Sequence, residues 1–485
     1  MFNFMSKRPK APPRVPTDTV VPVGFFDDTI IFRTFVLYTL FVFDDVLDPQ
    51  KLRNSLERLV SRPGWNKLGA RLRKNEKGEL EHHIPASFSL HRPPIAFDHV
   101  DLSDTAFQDH PSASHIPRPP ADGRPAIVGD PDDLSDLIYA PEVPKKLDDY
   151  ILTDRPELGL RIVSFSNSTI VVLHWMHLSF DAMAKKSLLE AWVLMLQGRE
   201  NEIPTPLAAD EYVLEHCGKN STERHVLADR HISKPGVLWW VLQNGYNLMF
   251  RKKEHRMVCV PAAYLTMLRA KALAELDSQQ TFPGQEKAPF VSEGDVLVAW
   301  LSRLAVANAA DNSIIAVQQA YGWRPVLKDL IPSNRPFLSN CVGFLVTLMP
   351  AKDLLQRPLS HLASHIRRSI KEQGSREQVE AYMALVRKDP SNKAPPFFGT
   401  SSMQLLMFSN WQKANLYGID LSAAAVTPRS TPLTASYIQS VQGPYNFTDG
   451  LIIVGKDAKG NYWISGYRCA GLWGMMEKQM AEEII

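Results

Sequence analysis

The sequence predicts an α/β or α+β fold, and three observations carry that expectation. Short β-branched and aromatic runs alternate with amphipathic stretches along the whole chain. Hydrophobic residues make up 45% and charged residues 22% of the 485, a globular balance. A chain of this length divides into roughly two to four domains and buries full cores without disulfides or metal staples.

The elements follow in order. Residues 1 to 20 are polar and proline-bearing and read as an extended arm. Thr29 to Phe43 reads as a buried strand closed by Asp44-Asp45. Asp48-Pro49 supplies a helix N-cap and a first-position proline. The helix behind it carries Leu52, Leu56, Leu59 and Val60 on one face until Pro63-Gly64 stops it. Leu68 to Glu81 reads as two short strands around a turn at Gly78. Residues 85 to 145 are proline-rich with short apolar patches and are expected to form a long surface excursion, ordered in part, and not a separate domain. Ile151 to Phe180 returns to strand character, with a turn at Ser166-Asn167-Ser168. A helix follows over Ala182 to Leu196, with Leu188, Trp192 and Leu196 as its inward stripe. Residues 200 to 255 read as a crossover. Within it, Val237 to Phe250 is amphipathic and runs into Arg251-Lys252-Lys253, a pattern that suits a membrane surface but more commonly packs on its own protein.

A second half begins near Arg256. Ser292 opens a helix with Asp295 at its third position, and Val296, Trp300 and Leu304 line one side. Ile314 to Tyr321, Cys341 to Met349, Gln404 to Phe408, Leu451 to Val454 and Tyr462 to Tyr467 read as strands. The expected division is a first lobe over 1–215, a crossover over 216–255 and a second lobe over 256–485, with no internal repeat.

Composition excludes several classes. A net charge of +2, with no basic cluster beyond Arg251-Lys252-Lys253 and the first few residues, is too mild for nucleic acid. Cys217, Cys259, Cys341 and Cys469 form no CxxC pair and fit no zinc spacing, so free thiols in a reducing compartment are expected. The first residues lack the apolar core of a signal peptide, and the longest apolar run, Phe35 to Phe43, is too short to span a bilayer. A cytoplasmic protein without a membrane span is expected. The chain has no Gly-x-Ser-x-Gly elbow, no phosphate-binding glycine loop and no HExxH.

The chemistry-bearing feature is Thr169 to Asp181, a hydrophobic run ending at His177 with an aspartate four residues on. A histidine at a strand-to-helix turn is held stiffly and can take a proton near neutral pH. The pattern His-x-x-x-Asp alone is weak. With 14 histidines about one chance match is expected, and His225-Val-Leu-Ala-Asp229 is a second copy. That copy lacks a leading strand and reads as a helical surface pair. His174 falls on the opposite strand face from His177 and reads as structural. Asp181 has two readings: it orients the histidine, as a triad acid does, or it caps the helix and pairs with a distant arginine. The sharp turn favours the second.

With these residues in view, the chain resembles the BAHD acyltransferases, in particular the fungal branch with the trichothecene O-acetyltransferases, within the chloramphenicol acetyltransferase-like superfamily. The matching blocks are Trp65 to Glu81, Pro156 to Trp192, Ser292 to Arg303, Gly322 to Met349, Ser409-Asn410-Trp411 with Tyr417 to Asp420, and Asp449-Gly450. The resemblance implies two similar lobes, each a mixed sheet flanked by helices, with a channel between them. It implies His177 as general base, Asp181 braced by Arg324, and Ser409, Asn410 and Trp411 beside the coenzyme A arm. It further implies acyl-CoA, chiefly acetyl-CoA, as co-substrate, a hydrophobic secondary-metabolite alcohol as acceptor, direct transfer without an acyl-enzyme, no metal, and a monomer. The family's second signature, Asp-Phe-Gly-Trp-Gly, is reduced here to Asp420-Leu-Ser-Ala-Ala424, and Ala182 replaces the usual glycine after the motif aspartate. Two alternatives stay open. The enzyme can be repurposed for CoA-independent acid/base chemistry (cyclisation, elimination or rearrangement), or the chain can be an inactive ligand-binding member.

Overall fold

The computed structural model describes residues 11–278, 290–443 and 449–482. The α/β expectation is met by two large mixed sheets flanked by helices. The first sheet has five strands in the order Tyr437–Gly443, Val36–Phe43, Thr169–Met176, Gly159–Phe165 and Ala96–Leu102. Its neighbours are antiparallel except the last pair. The second has seven: Val342–Pro350, Ile314–Gly322, Gln404–Asn410, Asp449–Lys456, Tyr462–Cys469, Lys253–Val260 and Ala126–Gly129. Gln404–Asn410 runs parallel to both its neighbours, and the remaining pairs are antiparallel. A three-stranded sheet of Thr19–Pro22, Leu80–Ile84 and Arg71–Lys74 stands beside them.

All eight residues of Val36–Phe43 and all eight of Thr169–Met176 are buried. Strands covered on both faces carry unbroken apolar runs, which is why both were readable. The helices Pro49–Val60 and Ala182–Leu196 pack together against this sheet. Asp48 caps the first by accepting from the N–H groups of Gln50 and Lys51, and Gly64, at φ +77°, turns the chain away afterwards. Ser292 and Asp295 form the reciprocal capping box that opens Glu293–Ala305.

The chain does not keep its halves apart. Ala126–Gly129 joins the edge of the second sheet, and Tyr437–Gly443 returns to the edge of the first, paired with Val36–Phe43. Trp411, Leu416, Tyr417, Leu421 and Ile438, all late in the chain, belong to the core of the first sheet.

Several expectations are corrected. The run Thr29 to Phe43 is strand only from Val36, because Phe32–Thr34 coils into a 3-10 turn. The excursion over 85–145 contributes Ala96–Leu102 and Ala126–Gly129 to the two large sheets. His225 is not on a surface helix: its ring is buried and stacked on Phe398, centroids 4.7 Å apart. Val237 to Met249 lies in the helix Lys234–Met249, with Phe250 as its C-cap, but most of the apolar side chains of this stretch face solvent. The N-terminal arm lies outside the described residues over 1–10. The four cysteines are buried and unpaired. Among the described residues no helix is long and apolar enough to cross a membrane.

Candidate active site

His177 follows the last residue of Thr169–Met176, and its N–H still donates to the Phe35 carbonyl at 2.9 Å. Its carbonyl accepts from the Asn340 side-chain amide at 3.0 Å. Asn340 is in turn held by Asp27, which accepts from its backbone N–H at 2.6 Å and from its amide at 2.8 Å. The imidazole stacks on Phe32, centroids 4.2 Å apart and planes within 11°. Strand pairing, side-chain bracing and ring stacking therefore restrict both the position and the plane of this ring. Burial lowers the His177 pKa below 6.5, and the Asp181 charge restores only part of the loss. The ring is thus neutral at neutral pH and able to accept a proton.

Asp181 has no bond to that ring among the described residues. One oxygen caps the helix Ala182–Leu196 by accepting from the N–H groups of Met183 (3.1 Å) and Ala184 (3.0 Å). The other accepts from Arg324 at 2.7 Å and from the Cys341 N–H at 2.9 Å. Burial alone would raise the Asp181 pKa. The Arg324 charge and these hydrogen bonds outweigh it and hold the carboxyl below 3.8. Arg324 also donates to the carbonyls of Phe337 (3.0 Å) and Ser339 (2.8 Å). Lys67, from the first lobe, reaches the same loop at the Leu338 carbonyl (2.5 Å) and the Ser339 hydroxyl (2.6 Å). The segment 337–341 is therefore a clasp, tied by side chains from both sheets' surroundings directly behind the histidine.

His177 lines a cleft of about 1180 Å³ of empty space, counting solvent at its mouth. Leu37 and Trp175 of the first sheet and Ala320, Phe344, Phe408 and Leu451 of the second form opposite walls, so the cleft lies between the sheets. Ser409, Asn410 and Trp411, at the end of Gln404–Asn410, line the same cleft. The Trp411 indole donates to the Ser409 hydroxyl at 2.9 Å, fixing the ring.

Asp420 does not line the cleft. Its carboxylate accepts from the N–H groups of Ser422 and Leu433, each at 2.8 Å, and shapes a loop whose Ala424 carbonyl receives the Asp48 N–H at 2.8 Å. No residue from Asp420 to Ala424 needs a positive φ, so the missing glycines leave no strained backbone. Ala182 likewise begins its helix with ordinary right-handed geometry. His174 packs where Gly159 leaves room: a Cβ at Gly159 would collide with its ring. Burial pushes the His174 pKa down to about 3, and it stacks on Tyr38 as a structural residue.

Sequence reasoning missed Phe32, Asn340, Asp27, Lys67 and Lys185. Among the described residues, Lys185 is the one lysine or arginine lining the cleft. It is fully buried, donates to the Thr39 hydroxyl at 3.1 Å, and lies 4.0 Å above the Trp411 ring and 5.3 Å from that of Trp175. Burial pushes its pKa down to about 7. A signal was present: Lys185 falls on the inward stripe with Leu188 and Trp192, where a cation is out of place.

Two mixed sheets face each other across a cleft with a histidine at the end of a strand on its wall, and the relatives of this chain make it an acyltransferase. No protein-family model matches the chain. It is 38% identical to a Penicillium decumbens protein named transcriptional regulator calD, covering 100% of this chain and 99% of that one. It is 34% identical to acetyltransferase adrJ of Penicillium rubens, covering 99% of each. Its fold matches the crystal structure of F. sporotrichioides TRI101 complexed with coenzyme A and T-2, with a TM-score of 0.67 at 15% identity over 96% of this chain and 97% of that one. Vinorine synthase matches with a TM-score of 0.60 at 14% identity over 97% of this chain and 95% of that one. The chain belongs to a family of fungal acetyltransferases and O-acyltransferases, and it shares its fold with TRI101 and vinorine synthase.

Proposed function

We propose that the chain is an acyl-CoA-dependent O-acyltransferase that transfers acetyl to a hydrophobic secondary-metabolite alcohol, with His177 as general base. The observation that carries this reading is the neutral His177 ring on the wall of an open, mostly apolar cleft, with Asp181 turned to Arg324 rather than to the ring. His177 takes the proton of the acceptor hydroxyl as its oxygen attacks the thioester carbonyl. The C–S bond breaks as the tetrahedral intermediate collapses, and the protonated ring returns its proton to the leaving sulfur. No residue is acylated. Ser409, Asn410 and Trp411 fit the coenzyme side: a hydroxyl, an amide and an aromatic wall suit the amide-bearing pantetheine arm. Asp420 acts on that side only by shaping its loop. The chain works as a monomer, with lobes over 1–215 and 256–485 joined by 216–255 and tied by the two exchanged strands.

The resemblance to a protein named as a regulator does not redirect this reading. The chain has a net charge of only +2, and its short basic run at Arg251-Lys252-Lys253 is too small for the many phosphate contacts that duplex binding requires. The test is incubation with acetyl-CoA and an extract of fungal metabolites. Free thiol is followed alongside mass spectrometry for a gain of one acetyl group. Thiol and product are expected to appear one to one and to vanish together in His177→Ala. Product made without thiol release would replace this reading with CoA-independent acid/base chemistry. Product unaffected by His177→Ala would remove the histidine from it.

A further inference from the structure

The helix Lys234–Met249 is held from one side only. The Trp240 indole donates to the Met403 carbonyl at 2.9 Å and meets Phe397 edge-on at 5.0 Å, so the helix cannot roll without losing this anchor. Its outward face is the more apolar one. Of the 14 large hydrophobic side chains exposed among the described residues, seven lie between Leu238 and Phe250. Trp239 (54% exposed), Leu242 (63%), Tyr246 (71%) and Phe250 (74%) recur at helical spacing as one stripe. A contiguous exposed stripe of this kind marks an interaction surface.

Charge says which kind. From Arg230 to Lys253 the sequence holds five basic residues, Arg230, Lys234, Arg251, Lys252 and Lys253, and no aspartate or glutamate. They flank the stripe at both ends, with Arg230, Lys234 and Lys252 exposed. Aromatic and aliphatic side chains between cations, with the carboxylates of Asp229, Glu254 and Asp389 (3.8 Å from Lys234) only at the ends of the stripe, match the requirements of a helix lying in the plane of an anionic membrane surface. We propose that Lys234–Met249 docks this enzyme peripherally on an anionic lipid bilayer. The Trp239–Phe250 stripe enters the acyl boundary, and the flanking lysines and arginines sit at the headgroups.

The full chain is sedimented with vesicles of phosphatidylcholine containing phosphatidylserine, and with phosphatidylcholine alone. Binding to the mixed vesicles is expected, with weaker binding to the neutral ones and release by high salt. The triple variant Leu242→Glu/Tyr246→Glu/Phe250→Glu is expected to lose about tenfold or more of the partitioning. Its circular dichroism and thermal unfolding should be unchanged, because these side chains are exposed. Absence of parent binding to anionic vesicles, or equal binding by parent and variant, overturns the proposal. A concentration-dependent dimer dispersed by the same substitutions would instead assign the stripe to a second copy of the chain. None of these readouts uses acyl transfer, so their failure leaves the proposed reaction untouched.

Discussion

The chain contains the same His-x-x-x-Asp pattern at 177–181 and at 225–229, and the two regions share more than spacing. Both rings are stacked on phenylalanine, His177 on Phe32 and His225 on Phe398. Burial depresses both pKa values, that of His225 to about 4. What separates them is the surroundings. His177 borders the cleft between the sheets, and its aspartate is locked to Arg324 across the lobes. His225 is buried and does not line that cleft, and Asp229 is exposed beside Arg224. A depressed histidine pKa and ring stacking are therefore not signs of catalysis by themselves. Access and the fate of the aspartate discriminate.

The contrast breaks most plainly by exchange of the histidines. His177→Ala is expected to lower kcat/KM by about 10²–10⁴-fold. His225→Ala should leave turnover intact and lower stability by about 1–3 kcal/mol through loss of buried packing, read by denaturant unfolding. If His225→Ala abolished turnover in a folded protein, the assignment of the base would be wrong. Next in size, Arg324→Ala strands the buried Asp181 carboxylate. It should cost about 3–5 kcal/mol of stability and roughly 100-fold in rate through displacement of the base. Asp229→Asn should change neither.

Smaller effects appear in pH profiles. Because the His177 pKa lies below 6.5, activity should hold through neutrality and fall only below that value. The Lys185 charge is among the causes that lower it, so Lys185→Met should move the acid limb to higher pH. The limb should not move in His225→Ala. The smallest effect concerns stability. A buried histidine with a folded pKa of about 4 against 6.5 unfolded binds fewer protons when folded, so its contribution is present above 6.5 and is lost as pH falls toward 4. His225→Phe should flatten that part of the melting-temperature profile.

Much of this was legible in the sequence for physical reasons. Interior strands such as Thr169–Met176 and Ile314–Gly322 are long and apolar, and helix starts at Asp48 and Ser292 carry explicit capping side chains. The strands at Ala96–Leu102 and Ala126–Gly129 escaped because they sit half-buried at sheet edges and carry no clean apolar run. Around His177, the strand, the turn and the helix cap were local and readable. Phe32, Asp27 and Asn340 come from irregular segments up to 313 positions apart, as between Asp27 and Asn340, and only the folded chain brings them together. The outward stripe of Lys234–Met249 shows the complementary limit: apolar periodicity locates a helix face but not what lies against it.

The return of Tyr437–Gly443 to the first sheet has a consequence for biosynthesis. Val36–Phe43 emerges early, yet the partner that covers its free edge lies about 400 residues later. At ribosomal speeds of about 5–20 residues per second, that edge waits roughly 20–80 s for its neighbour. Throughout that interval the nascent chain displays an apolar, unpaired β-edge, the template on which polypeptides aggregate. Truncation before Tyr437 would make the exposure permanent, so yield in a heterologous host should depend on chaperone supply and on completing the last strands.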